Sequence, residues 1–266
     1  MSGPIVLVHG AQHGGWCWRR VLPGLRSAGH EVHAPTLTGL ADRAHLLTAS
    51  TGLSTHIDDV AAHLEAEELT DVTLVGHSYG ALVVTGVADR LPGKVRTVVL
   101  FDGPVARAGE SGVDLHPAAH VFLSRETVVD GIPVIPPSDG SSLGLDPDDL
   151  AWVRRRLTPQ PARAVREGLP HSGTDRTSTI RHCFIRTQRA DGSDSALPDR
   201  AAGPGWTVRT VPGGHDAMIT RPGEVVAVLH ELAELPPPDT AEPTHQHQPH
   251  ELFDRTPAES ATGGTA

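Results

Sequence analysis

The heptad Val75-Gly76-His77-Ser78-Tyr79-Gly80-Ala81 sets a serine between two glycines where two apolar runs meet. Val72-Thr73-Leu74-Val75 reads as a strand entering it, and Ala81-Leu82-Val83-Val84 as a buried helix leaving it. A chain that turns directly from strand into helix crowds its own turn. Glycines at 76 and 80 keep Cβ atoms out of the way, so that Ser78 stands at the apex in a strained conformation with its hydroxyl presented. This is the G-x-S-x-G nucleophile elbow, and its chemistry is attack by a serine hydroxyl on an electrophilic carbon.

A serine hydroxyl is a weak nucleophile at neutral pH and needs a base within hydrogen-bonding reach. Among 17 histidines, position selects one. His215, in Val211-Pro212-Gly213-Gly214-His215, follows the last predicted strand and precedes the last helix, and sites built on this elbow run nucleophile, acid, base along the chain. His9 and His77 flank tight turns and read as structural or pocket residues. The acid is expected after the penultimate strand, where Ala190-Asp191-Gly192-Ser193-Asp194 follows Cys183 to Arg189. Asp191 is the predicted acid; Asp194 stands close behind, Asp199 third, and Asp102, after the Val95 to Phe101 strand, is a further candidate. The aspartates beside Gly192 also read as ordinary turn residues. A developing oxyanion needs two preorganised donors. The Tyr79 backbone N–H is one, and the Gly10-Ala11-Gln12 loop supplies the other, with Ala11 ahead of Gln12. Gln12, His116, His120 and Trp152 are candidates to reach the pocket, with packing or surface roles equally open.

These loops need a frame. Ile5-Val6-Leu7-Val8 is a continuous apolar run, as in a parallel strand covered on both faces. It is followed by a helix from Trp16 to Ala28, interrupted near Pro23-Gly24, a short strand at 31–34, an irregular stretch to Gly52, and a helix from an N-capping Ser54 through Glu67. With the elbow strand, its helix and the Val95 strand, the chain alternates strand and helix, which argues for an α/β, doubly wound, mostly parallel sheet. The rhythm breaks over 105–180, rich in Pro and Gly with one clear helix at Asp148 to Leu157. This stretch reads as an inserted cap rather than sheet. Strands at His182 to Thr187 and Trp206 to Val211 restore the pattern, and Pro222 opens a final helix. The core is therefore expected at 1–104 and 181–235, and a disordered tail at 236–266, whose composition cannot bury enough apolar surface to offset its ordering entropy.

Composition narrows the function classes. A net charge of −10 with no basic cluster beyond Arg154-Arg155-Arg156 leaves little to bind a nucleic-acid backbone. Two isolated cysteines, Cys17 and Cys183, read as reduced core thiols, consistent with a cytoplasmic setting, and no signal peptide or membrane span is expected. No cofactor is called for. His245, His247 and His250 in the tail lack the cysteines or rigid frame of a metal site. Oligomeric state is left open.

Leu7-Val8-His9-Gly10-Ala11, His13-Gly14-Gly15-Trp16-Cys17-Trp18, Gly76-His77-Ser78-Tyr79-Gly80 and Gly214-His215 with Met218 and Arg221-Pro222 resemble the α/β-hydrolase superfamily over about residues 4–235. The likeness is to the branch of plant-type methyl esterases and hydroxynitrile lyases and their bacterial relatives. It implies Ser78 as nucleophile, His215 as base, Ala11 and Tyr79 as oxyanion donors and a cap near 105–180. The lyases of this branch carry a threonine where this chain has Ala11 and a lysine where it has Asp216, which disfavours cyanohydrin cleavage. The acid loop also departs, since the family aspartate aligns near Ala190. The expected function is a serine hydrolase cleaving a small carboxylic ester, of methyl ester or lactone type, through an acyl-enzyme. The alternatives are a cyclase, dehydratase or lyase step with His215 as general base, and a non-catalytic ligand receptor.

Overall fold

The computed structural model describes residues 3–115, 117–170 and 179–236. His116 and the expected tail with its histidines lie outside the described residues, apart from Pro236. The elements run β1 (Ile5–Val8), α1 (Leu22–Ser27), β2 (Val32–His33), α2 (Leu53–Ala66), β3 (Val72–His77), α3 (Gly80–Arg90) and β4 (Val95–Phe101). Between β4 and the next long strand come α4 (Gly112–Leu115), α5 (Pro117–Leu123), β5 (Thr127–Val129), β6 (Ile132–Ile135), α6 (Pro147–Arg154), β7 (Gln160–Pro161) and α7 (Ala162–Arg166). The chain then forms β8 (Arg181–Gln188), β9 (Trp206–Pro212), α8 (Ala217–Thr220) and α9 (Pro222–Glu234).

Six strands form one sheet in the order β2-β1-β3-β4-β8-β9, every pair parallel. Strand side chains alternate between faces, and the two faces collect two cores. Val6, Val8, Leu74, Val98, Leu100 and Phe184 pack with α2 and α3 on one side. Ile5, Leu7, Val75, Val99, Phe101 and Ile185 pack with α1, α8 and α9 on the other. Burying each large side chain, such as Leu74 or Phe184, is worth roughly 1.5–3 kcal/mol, so the central strands are anchored on both faces. Function then gathers at their carboxyl ends, which all point the same way.

Several local expectations shift. The helix expected from Trp16 divides into a 3-10 turn, Gly15–Trp18, and α1, because Pro23 is accommodated in the first turn of a new helix. Ser54 does not cap α2. The helix starts at Leu53 with Gly52 before it, the Gly52 N–H donates to Thr55 Oγ1 at 3.2 Å, and Ser54 Oγ donates to Glu167 at 2.6 Å. The stretch expected to lack sheet contains a small antiparallel one, β5-β6-β7, in which Pro133 and Pro161 sit without breaking the pairing. Cys17 and Cys183 are free and buried, and no helix among the described residues is long and apolar enough to cross a membrane.

Buried histidines make the fold acid-sensitive. Burial holds the pKa of His9 and of His77 down at about 3, well below the ordinary 6.5. Between those values the unfolded chain binds protons that the folded chain does not, so stability falls as pH drops. The two imidazoles act together in that window, and buried His56, also shifted down by desolvation, acts in the same direction. Thermal unfolding followed from pH 7 to pH 4 should show a falling midpoint; a flat profile would mean that these rings protonate freely in the native state.

Candidate active site

The sheet's hydrogen bonding continues one residue beyond β3 and β4. The Ser78 N–H donates to the Phe101 carbonyl at 2.9 Å, and the Asp102 N–H to the Ile185 carbonyl at 2.8 Å. That overrun places Ser78 beside Phe101 and Asp102, and both residues turn sharply there. Their φ values, 51° and 48°, are left-handed, a strain of roughly 1–3 kcal/mol each that the surrounding packing must hold. At the elbow, a Cβ on Gly76 would sit 2.4 Å from the Gly80 carbonyl oxygen, and one on Gly80 would sit 2.7 Å from the His9 carbonyl oxygen. Only glycine fits either position.

His215 hangs from the turn between β9 and α8. The turn is tied by the Gly213 N–H to the Gln188 carbonyl at 2.8 Å and by the Asp216 N–H to the Leu143 carbonyl at 3.1 Å. His77 adds a third tie: its Nε2–H donates to the His215 carbonyl at 2.9 Å, and the two rings lie 4.6 Å apart between centroids. The imidazole so placed meets a carboxylate, His215 Nδ1 standing 2.7 Å from Asp102 Oδ2. Burial works to lower the His215 pKa, but the bond to Asp102 and the charges of Asp102 and Asp216 outweigh it and raise it above 6.5. Desolvation pushes Asp102 up, and the bond and charge of His215 carry it below the usual carboxylate value. The Ser78 hydroxyl makes no hydrogen bond to His215 or to any other described residue; in such sites this bond commonly tightens only when substrate is bound.

The partner of His215 is therefore Asp102, and Asp191 is a correction. Asp191 is exposed and spends its carboxylate on its own turn, with Oδ1 accepting from the Ser193 N–H at 2.9 Å and from Ser193 Oγ at 2.6 Å. Asp194 pairs with Arg186 at 2.8 Å and with Gln188 at 3.0 Å. The chain after β8 folds back on that strand, with the Ser195 N–H on the Thr187 carbonyl and the Arg189 N–H on the Ser193 carbonyl. Both aspartates are consumed by this return, and Asp199 is exposed in a 3-10 turn. The signal for Asp102 was present: Phe101-Asp102-Gly103 ends a buried strand in a polar residue followed by glycine, next to the strand that ends in His77 and Ser78.

The loop after β1 lies against the elbow, and a Cβ on Gly10 would be 3.1 Å from Ser78 Cβ. The backbone N–H groups of Ala11 and Tyr79 have no acceptor among the described residues. The Tyr79 side chain is anchored elsewhere, its hydroxyl 2.7 Å from His56 Nδ1, while His56 Nε2–H donates to the Thr38 carbonyl. Gln12 is the second correction. Its N–H donates to Gln160 Oε1 at 2.9 Å, its amide nitrogen to the Ile135 and Pro136 carbonyls, and its Oε1 accepts from the Ser138 N–H. With its backbone N–H and both side-chain polar groups engaged, Gln12 pins the β6 and β7 region to the β1 loop. Trp152 packs edge-on against Trp16 with Arg156 above its ring, and His120 is exposed. A cavity of about 320 Å³ opens between Thr48 and Glu167, and neither Ser78 nor His215 lines it.

The sequence of the chain matches the pattern of the Alpha/beta hydrolase family over residues 5–228. The chain belongs to that family. Within it, the chain is 39% identical over 242 residues to a carbendazim hydrolyzing esterase of Nocardioides sp. (strain SG-4G), covering 85% of this chain and 98% of the relative. It is 27% identical to methyl jasmonate esterase 1 of Vitis vinifera, over 86% of this chain and 96% of that one. The fold is also that of an extracellular alpha/beta-hydrolase from a Paenibacillus species, with a TM-score of 0.72 at 18% identity, covering 87% of this chain and 99% of that chain. For this α/β-hydrolase the geometry gives a direct comparison of carboxylates. Asp102→Asn should lower kcat on an activated ester by roughly 10³- to 10⁴-fold, as loss of the orienting acid does in serine triads, whereas Asp191→Asn and Asp194→Asn should stay within about 2-fold of the parent. Equal losses in the three variants would put the acid elsewhere.

Proposed function

We propose that this α/β-hydrolase cleaves a small, mostly uncharged carboxylic ester, of methyl ester or lactone type, through an acyl-enzyme on Ser78. The 2.7 Å contact between His215 and Asp102, beside a strained elbow serine, is the observation that carries the reading. Ser78 Oγ attacks the carbonyl carbon as its proton passes to His215 Nε2, and Asp102 keeps the imidazole in the needed tautomer and stabilises the imidazolium. The negative charge that develops on the carbonyl oxygen is taken by the N–H groups of Ala11 and Tyr79, the latter at the positive end of α3. The imidazolium then gives its proton to the leaving alkoxide. Water repeats the sequence in reverse, its proton going to His215 as its oxygen attacks the acyl carbon, and Ser78 recovers its proton as the acid departs.

The methyl ester preference rests on the relatives, a carbendazim hydrolyzing esterase and a methyl jasmonate esterase. Residues 105–180 act as the cap over the acyl pocket, joined to the oxyanion loop through Gln12. The position after the base supports hydrolysis over the lyase reading. Asp216 is a buried carboxylate there, held against His13, and offers no cation to a departing cyanide.

A fluorophosphonate probe should label Ser78 covalently, and Ser78→Ala should lose both labelling and turnover of p-nitrophenyl acetate. Retained p-nitrophenyl acetate turnover without Ser78 would mean that hydrolysis does not pass through an acyl-enzyme on that residue. Because the His215 pKa is raised above 6.5, and only the neutral ring can accept the serine proton, the acid limb of kcat/KM should have its midpoint above pH 6.5. A midpoint well below that would mean that Asp102 does not govern the base.

A further inference from the structure

The reaction as proposed leaves a second histidine and carboxylate unused. His13 and Asp216 are buried, at 4% and 0% exposure, and their side chains meet with Nε2 3.1 Å from Oδ2. His13 Nδ1 lies 2.8 Å from the Ala11 carbonyl oxygen. A carbonyl only accepts, so a proton sits on Nδ1, and the contact on the other side of the ring requires a further proton between Nε2 and the carboxylate. The His13 ring is stacked on Trp16, 5.2 Å between centroids, which keeps water from that face. One partner belongs to the loop carrying Ala11, and the other follows His215 directly in the chain. His77 lies between the two histidines, its ring facing His13 edge-on at 6.4 Å, and Asp216 Oδ1, otherwise unbonded among the described residues, is 3.9 Å from His77 Nε2.

We propose that His13 and Asp216 are positioning residues for acyl transfer, a buried imidazolium and carboxylate that lock the Ala11 loop to the turn bearing His215 and set the field in which His215 titrates. The proposal rests on the acyl-transfer reading above. A charge-assisted bond on the Ala11 carbonyl restrains the loop that supplies an oxyanion donor, and such donors act by being fixed before charge develops. Burial opposes charge on both partners and their mutual attraction overcomes it, raising His13 above 6.5 and taking Asp216 down to about 2. The charged or titratable groups facing His215 are Asp102 from the end of β4, Asp216 beside it, Arg189 after β8, His77 at the end of β3 and His13 from the β1 loop. Asp102 is common to all the variants below, and His77 stays neutral, so changes in the pair are read directly.

The test is the pH dependence of kcat and KM for Asp216→Asn, His13→Gln and the double variant, with fluorophosphonate-reactive Ser78 and the Ser78→Ala protein as controls. Asp216→Asn removes a negative charge near His215 and should move the acid limb of kcat/KM to lower pH; His13→Gln removes a positive one and should move it to higher pH. Both should lose roughly 10- to 100-fold in kcat with KM nearly unchanged, the signature of a misplaced donor. A single variant leaves an uncompensated buried charge and can fail to fold. The double variant carries no such charge, so it should accumulate, return the limb to the parent pH, and still be slow because glutamine offers no proton at the Nδ1 position. Opposite limb shifts, or a slow double variant with parental KM, support the proposal. Limbs that do not move or move together, or a double variant with parental kcat, overturn it while leaving the triad intact. Turnover that survives Ser78→Ala removes the acyl-transfer reading and this proposal with it.

Discussion

The bond between Asp102 and His215 joins two loops separated by 113 residues, and the arrangement of the site follows from it. A free imidazole exchanges tautomers and rotates. Tied at Nδ1 to a carboxylate, it holds one tautomer and presents Nε2 in one direction, and it gains basicity from the charge behind it. The bond depends on where β4 and β9 end on either side of β8. Register in the parallel sheet sets those ends, with Phe101 opposite Ile185 and Pro212 opposite Gln188 further along β8. A slip in the register of β8 would separate the partners without altering either residue.

The site is also held by groups that do no chemistry. His9 accepts the Leu37 N–H and donates to the Gly10 carbonyl, His56 receives Tyr79, and His77 supports the His215 peptide. Each is buried with both roles of a neutral ring assigned by its partners, except that His77 Nδ1 faces none. An imidazole offers one donor and one acceptor on a rigid plate, and it suits the task of pinning backbone at strand ends. The cost is sensitivity to acid, since each such ring must stay neutral in the native state.

What could be read from the sequence was what depends on near neighbours. Four apolar residues in Ile5 to Val8 or a glycine-flanked serine after a β-branched strand carry their meaning locally, and the six parallel strands and the elbow followed from them. The position of His215 came from its place after the last strand. The acid did not come out the same way, because three aspartates follow strand ends and the choice depends on which turn consumes its own carboxylate. Asp191 beside Gly192 is spent on Ser193, and Asp102 beside Gly103 is not, a difference that only the return of residues 189–195 along β8 creates. The role of Gln12 was equally hidden, since Ile135, Pro136, Ser138 and Gln160 lie more than 120 residues away in the chain. The pairing of His13 with Asp216 spans 203 residues and has no signature at either end.

A crystal structure of the protein with a small phosphonate bonded to Ser78 Oγ would fix the base and an oxyanion mimic in one view. It should show an Asp102 carboxylate oxygen still bonded to His215 Nδ1, and the phosphoryl oxygen about 2.7–3.1 Å from the N–H groups of both Ala11 and Tyr79. A phosphoryl oxygen turned away from those two groups, or a carboxylate other than Asp102 on His215 Nδ1, would contradict it.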